Sequence, residues 1–356
     1  MTLSVISSTI SWPQRPRDRE HRCTYMVALM RFGAFVPQGW RLDLAGLDVE
    51  EHWQTMLGVA RKIEDLGYES LWVYDHFHTV PEPTQEATYE AWTLMAALGA
   101  ATESVRLGQM CTCNTYRPPS YLAKVAACID VISGGRLEMG IGAGWHEDEH
   151  EGYGYPFLSP PGRLGMLREG VEIMKAMWTE DEVDYAGKHY QLEGGICQPK
   201  PVQKPHVPLW IAGGGEQITL KIAAEHAAYS NFGNMDFGQF KHKSEVLEGH
   251  CRDLGTDFDA ITRSSNYMLL CAETEAEVEE KKRWLRNHLL DRVSEKEAER
   301  TAAIYDTMSG TPDQIAERLA KWEGAGMTYA IVYFADAAYD RSSMELFAKK
   351  VIPELG

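Results

Sequence analysis

Two rhythms of apolar residues alternate along this chain. Short continuous apolar runs, closed by glycine, proline or a polar pair, take turns with longer stretches in which apolar residues recur at helical spacing. The first run, Phe32 to Val36, is stopped by Pro37 and Gly39. From Asp48 onward Trp53, Met56, Leu57, Ala60, Ile63 and Leu66 share one helical face, closed by Gly67. A second run, Leu71 to Tyr74, ends in Asp75 and His76, and a proline-rich loop then leads to a helix predicted over about 86–102. The segment 105–145 supplies a third strand (VRLGQM), a helix with Pro118 and Pro119 in its first turn, and a fourth strand (GGRLEMGIG).

After Gly152 the periodicity loosens, then recovers in a long helix with Leu164, Leu167, Val171, Met174 and Met177 on one face. TEDEVDYAGKHYQLEG reads as a β-hairpin turning at Ala186 and Gly187. LWIAGGG, AAYSNF, SSNYMLLCA and GMTYAIVYFA read as strands five to eight, interleaved with helices and with a charged helical insertion over 291–303. Eight strands, each followed by a helix, predict an α/β fold, a (β/α)8 TIM barrel with insertions. One such domain is expected over residues 30–356. Residues 1–29 are expected to be a poorly ordered extension, since they carry neither period, and Met26 or Met30 is an alternative start.

Composition narrows the function. A chain of 356 residues suits one barrel with insertions. The net charge of −17, with no basic block to offset it, repels nucleic-acid backbones and anionic lipid. No apolar run reaches the roughly 18–20 residues that cross a bilayer, so no membrane partner is expected. Seven scattered cysteines without a Cys-x-x-Cys pair point to reduced thiols in a cytoplasmic protein. Cys111 and Cys113 alternate along a strand and are read as packing residues rather than ligands of a soft metal.

The candidate chemistry sits at strand ends, which in parallel α/β folds face one ligand-binding mouth. These ends are PQGW after strand one, Asp75-His76 after strand two, Met110 to Asn114 after strand three, and Gly142 to Trp145 after strand four. Ala212, Gly213, Gly214 and Gly215 add backbone N–H groups at the start of a helix, where a phosphate is commonly held. Histidine is the side chain suited to proton exchange near neutral pH, so His76 is the candidate proton carrier, with Asp75 as its partner. Thr112 and Asn114 are candidate hydrogen-bonding groups for a polar ring edge. The pentad His146 to His150 satisfies the His-Glu-x-x-His spacing of zinc hydrolases. It lacks an apolar helical face and lies between Gly144 and Gly152, so no metal is assigned and a solvated or cofactor-rim turn is expected.

Taken together, FGAFVPQG, LWVYDHFH, the segment 106–150, the hairpin YAGKHYQ and PLWIAGGG resemble the bacterial luciferase-like family of flavin and deazaflavin oxidoreductases. The resemblance covers residues 30–354. It implies a barrel that binds reduced FMN or the 8-hydroxy-5-deazaflavin coenzyme F420, and the Asp75-His76 pair resembles the F420-using branch. In that branch a bulged third strand, often with a non-proline cis peptide, backs the ring. That position falls on Met110-Cys111, with Thr112 and Asn114 beside the cofactor. Gly144, Trp145, Asp148 and the loop Ala212 to Gly215 match positions that hold the ribityl chain and phosphate.

In sugar-phosphate dehydrogenases of the branch a glutamate stands where Trp145 stands here, which argues against sugar-phosphate oxidation. The expectation is hydride transfer between F420 and a small organic molecule, with His76 exchanging the proton and Gln38, Trp40 and Trp145 walling the substrate. The alternatives are an FMN-dependent monooxygenase on the same barrel and, more distantly, zinc hydrolysis at His146 and His150. A homo-oligomer, as a dimer, is expected from the resemblance.

Overall fold

The computed structural model describes residues 30–356, and the extension read over residues 1–29 lies outside them. Eight parallel strands form the barrel: β1 (Arg31–Phe35), β2 (Ser70–Val73), β3 (Arg106–Gln109), β4 (Leu137–Gly142), β5 (Leu209–Ala212), β6 (Tyr229–Asn231), β7 (Thr262–Leu269) and β8 (Met327–Phe334). Each strand pairs with its sequence neighbours, and the ring is closed by β8 against β1, with Ala34 beside Val332. No edge is left unpaired. A short continuation of β3, Thr112–Cys113, also pairs with β4.

Strand parity sorts the apolar residues into two cores. Phe32, Ala34, Leu71, Val73, Ala330 and Val332 point outward to the helices. Phe35, Trp72, Tyr74, Tyr329, Ile331 and Tyr333 point inward and fill the barrel with aromatic rings. A buried strand thus reads as an unbroken apolar run because both of its faces are covered. The inner layer is packed tightly around Trp72, whose ring meets Trp210 edge-on at 4.7 Å. Glycines on both neighbouring strands make room for it. A β-carbon at Gly108 would lie 2.5 Å from the Trp72 ring, and one at Gly33 would lie 2.5 Å from its Nε1.

The outer helices include α1 (Val49–Asp65), α2 (Ala91–Ala101) and α3 (Pro119–Ile132). Between β4 and β5 come the short α4 (Glu147–Gly152), the long α5 (Pro160–Thr179) and a hairpin of Val183–Ala186 with Gln191–Gly195. Next are α6 (Thr219–His226) and α7 (Phe237–Leu254), and the segment between β7 and β8 carries α8 (Glu275–Leu290), α9 (Glu295–Ile304) and α10 (Pro312–Glu323). The last β-to-α step closes with α11 (Ser342–Lys350). None of these helices is long and apolar enough to cross a membrane.

One boundary departs from the pattern. The helix expected from about residue 86 begins at Ala91, because the chain before it is pinned to the loop after β1: Gln38 donates from Nε2 to the Tyr89 carbonyl, and the Tyr89 amide donates to the Gln38 carbonyl. Glu90 then caps the helix by accepting from the Thr93 amide.

The inner layer gives a direct test. Gly108→Ala forces the Trp72 ring or the strand to move, and overpacking of this kind costs about 1–3 kcal/mol. Urea unfolding should show a lower midpoint at an unchanged m-value; a midpoint equal to wild type contradicts this packing.

Candidate active site

A cavity of about 330 Å³ opens at the carboxyl ends of the strands. Its wall takes Trp40 from the loop after β1, Tyr74, Asp75 and His76 after β2, and Met110, Cys111 and Cys113 from the bulge after β3. The stretch Gly142 to His146 follows β4, and Ala212 with Gly213 closes the far side after β5. The peptide between Met110 and Cys111 is cis. Gly144 and Gly213 adopt φ of 81° and 119°, backbone open to glycine. At Gly142 a β-carbon would meet the Cys111 Sγ at 2.7 Å, so the β4 loop lies directly on the β3 bulge.

His76 is the most elaborately held group in the cavity. Its ring stacks flat on Trp40, centroids 4.0 Å apart. Its Nδ1 lies 2.7 Å from Glu149 Oε2. Glu149, fully buried on α4, also accepts the Tyr116 hydroxyl at 2.6 Å and the backbone amides of Phe77 and His78 at 2.6 and 2.9 Å. Burial works against the charged carboxylate, but the bonds from His76, the His78 amide and Tyr116 outweigh it and hold Glu149 at about 2. A carboxylate at Nδ1 places the proton there in the neutral ring, which leaves Nε2 without a protein partner among the described residues.

This corrects the expected pairing. Asp75 is not the partner of His76: its carboxylate takes a two-pronged ion pair from Arg117, at 2.7 and 2.9 Å, and the Cys113 amide at 2.9 Å. It anchors the bulge instead. Arg117 continues to Glu90 at 2.6 Å, so the carboxyl end of β2, the bulge and the start of α2 are tied through one guanidinium.

Several other expected residues lie elsewhere. Thr112 and Asn114 are fully buried away from the cavity, because strand alternation turns Cys111 and Cys113 inward and these two outward. Thr112 donates to Gln109, and Asn114 faces Gly170 on α5 and the Tyr190 hydroxyl. Gln38 is not a substrate wall: its side-chain amide is consumed by the Tyr74 amide and the Tyr74 and Tyr89 carbonyls. Trp40 and Trp145 do line the cavity, and Trp145 is exposed at its rim. Asp148 lies on an adjoining cleft. Gly214 and Gly215 extend the Gly213 wall toward α6, and their amides donate to no protein acceptor among the described residues.

The zinc-like pentad is a rim turn with one side folded inward: Glu147 and Asp148 are exposed and His146 lines the cavity, whereas Glu149 and His150 are buried. His150 is fully buried with both ring nitrogens engaged, Nδ1 with the His146 carbonyl and Nε2 with the Thr115 hydroxyl, each at 2.7 Å. No cluster of three or more candidate ligands stands among the described residues. Burial pushes the Cys111 and Cys113 thiols up to about 12, so both stay protonated near neutrality, as packing residues do. Sequence reading missed Glu149, Tyr116 and Arg117. Glu149 is hidden in a run of five polar residues, where nothing in the pattern marks which one turns inward.

The sequence profile of the luciferase-like monooxygenase family matches residues 30–329. An uncharacterized protein of Mycobacterium tuberculosis is 31% identical over 188 residues; the alignment spans 49% of this chain and 65% of that protein, less than two thirds of its length. The F420-dependent glucose-6-phosphate dehydrogenase of Nocardia farcinica is 28% identical over 319 residues, covering 84% of this chain and 93% of that enzyme. Among solved structures, an F420-dependent secondary alcohol dehydrogenase in complex with an F420-acetone adduct superposes with a TM-score of 0.74 at 20% identity, over 92% of this chain and 99% of that one. That likeness is one of fold.

Glu149→Gln tests the electrostatics. Four donors lose a charged acceptor, and the variant should be less stable by about 2–3 kcal/mol near neutral pH. Glu149 sits at about 2 when folded, against about 4.3 for a free glutamate. Its contribution is therefore complete above the unfolded value and fades as pH falls through the folded one. Denaturation of both proteins across that range should show the gap closing with acid; a gap that is constant with pH contradicts the assignment.

Proposed function

The chain belongs to the luciferase-like monooxygenase family, and within it we propose an oxidoreductase that moves a hydride between coenzyme F420 and a small organic substrate. The observation that carries this reading is the His76–Glu149 pair at the mouth of the barrel cavity, which leaves one imidazole nitrogen aimed at chemistry rather than at protein. The relation to an F420-dependent dehydrogenase over 84% of the chain supports the choice of cofactor.

The residues present fit such a group. The bulge Met110-Cys111 and the glycine backbone of Gly142, Gly144 and Gly213 form a wall free of bulky side chains, suited to a planar ring. The unpaired amides of Gly214 and Gly215, just before α6, suit a phosphate. When bound, the deazaflavin supplies a carbon that accepts or returns a hydride and lacks the nitrogen through which flavins react with oxygen.

The protein's own contribution is positioning and proton transfer. When an alcohol is oxidised, His76 Nε2 takes the hydroxyl proton as the hydride leaves the carbon, and the Glu149 carboxylate stabilises the resulting imidazolium; in reduction the same nitrogen returns the proton. Trp40 fixes the imidazole plane, and Tyr116 and the backbone amides keep Glu149 from turning away. By resemblance Trp145 takes the place of a glutamate of the sugar-phosphate dehydrogenases of the branch, and the reading disfavours a sugar phosphate as the substrate. It also takes the protein to be cytoplasmic, in keeping with six free cysteines among the described residues, and a homo-oligomer.

Separate titrations of the purified protein with F420 and with FMN test the cofactor. Saturable F420 binding at least tenfold tighter than FMN is expected, and preferential FMN binding with oxygen consumption would establish the monooxygenase instead. His76→Asn should lower turnover roughly 10²- to 10⁴-fold while F420 affinity stays within a few-fold; wild-type turnover in this variant would remove His76 from the mechanism.

A further inference from the structure

A second cleft, of about 500 Å³, adjoins the first and shares Trp40, Trp145 and His146 with it. Its inner wall holds Arg41, and its remaining lining includes Val80, Pro81 and Ile304. Arg41 makes no ion pair to any of the described residues, its Nε is enclosed without a partner, and the polar group beside the guanidinium is the Tyr74 hydroxyl. The guanidinium rests instead on aromatic faces, 4.4 Å from the Trp40 ring, 5.2 Å from Tyr74 and 5.6 Å from Tyr333. Cation–π contacts offset part of the loss of hydration but provide no acceptor for the N–H groups.

The neighbouring charges do not neutralise it. Asp43, two residues on, is spent on the Gln38 and Gly39 amides and the Tyr333 hydroxyl. Arg300, which also lines the cleft, is paired with Glu297. Glu147 and Asp148 lie on the rim and are exposed. The cleft therefore has a positive inner wall and a negative rim.

Trp40 links this charge to the catalytic imidazole. His76 is stacked on the Trp40 ring at 4.0 Å and Arg41 lies over it at 4.4 Å, so both rest against one indole. Its Nε1–H, buried and without an acceptor, belongs to a wall common to both cavities.

We propose that this second cleft is the substrate's anion subsite: the substrate carries a carboxylate that Arg41 binds, while the carbon that exchanges the hydride reaches past Trp40 to His76. The inference rests on the oxidoreductase reading and names its substrate class. One carboxylate matches the charge of one guanidinium, whereas a phosphate dianion keeps a negative charge after pairing that the exposed Glu147 and Asp148 at the rim oppose. The apolar residues Val80, Pro81 and Ile304 suit a hydrocarbon or aromatic body beside that carboxylate.

Calorimetric titration with benzoate, its neutral analogue benzamide, and phenyl phosphate tests the subsite, with the protein both free and loaded with F420. Benzoate should bind at least about tenfold more tightly than either of the others, a difference of about 1.4 kcal/mol. Arg41→Met should abolish the preference and Arg41→Lys should keep some of it, each with an unchanged melting profile and F420 affinity. Absence of a benzoate preference in the wild-type protein, or its survival in Arg41→Met, overturns the proposal. Tighter binding of phenyl phosphate overturns the monoanion assignment. Because F420 is titrated separately, failure of the cofactor reading is distinguishable: F420 would not bind, while the carboxylate preference of the free protein would still be read.

Discussion

The hydrogen bond from His76 to Glu149 organises the mouth of this barrel. A buried carboxylate is tolerated only when its acceptor sites are filled, and here the donors come from β2's exit loop, from the loop before α3 and from the imidazole itself. The requirement runs both ways. Glu149 can be buried because four groups converge on it, and those groups are held in place because the charge is there. The orientation of the His76 ring, and so the availability of Nε2, follows from that arrangement.

A second buried carboxylate, on the residue that precedes His76, has a parallel role. Asp75 locks Arg117 and the amide of Cys113, fixing the bulge that forms the cavity floor. The two acids thus divide the work that the sequence suggests for Asp75 alone. Glu149 orients the imidazole; Asp75 holds the bulge that walls the cavity. Removing either leaves buried donors or a buried charge without a partner, the costly side of the hydrogen-bond balance.

The barrel was legible in the sequence because eight short, mainly apolar runs alternate with helical periods, and because several of the strands covered on both faces read as nearly continuous apolar runs. Phe32 to Val36 and the eighth strand show this directly. The cavity's position followed from parallel topology, which places His76, Gly144 and Gly213 at one mouth. What stayed hidden were long-range partners. Glu149 lies 73 residues from His76 in a stretch whose polarity reads as solvated, and Gln38 reads as a ligand group although backbone atoms from two other segments consume its amide. The inward and outward sides of Met110 to Asn114 depend on the bulge, which no period reveals. Arg41 is the same case in reverse, since its importance comes from partners it lacks.

The imidazole nitrogens carry the central claim, and they can be observed directly. A side-chain ¹⁵N spectrum of the F420-loaded protein, with His76 assigned by loss of its signals in His76→Asn, reports which nitrogen bears the proton. The account predicts a protonated Nδ1 and an unprotonated Nε2 whose resonance shifts when F420 is added. A proton on Nε2, or a His76 signal indifferent to F420, would contradict it.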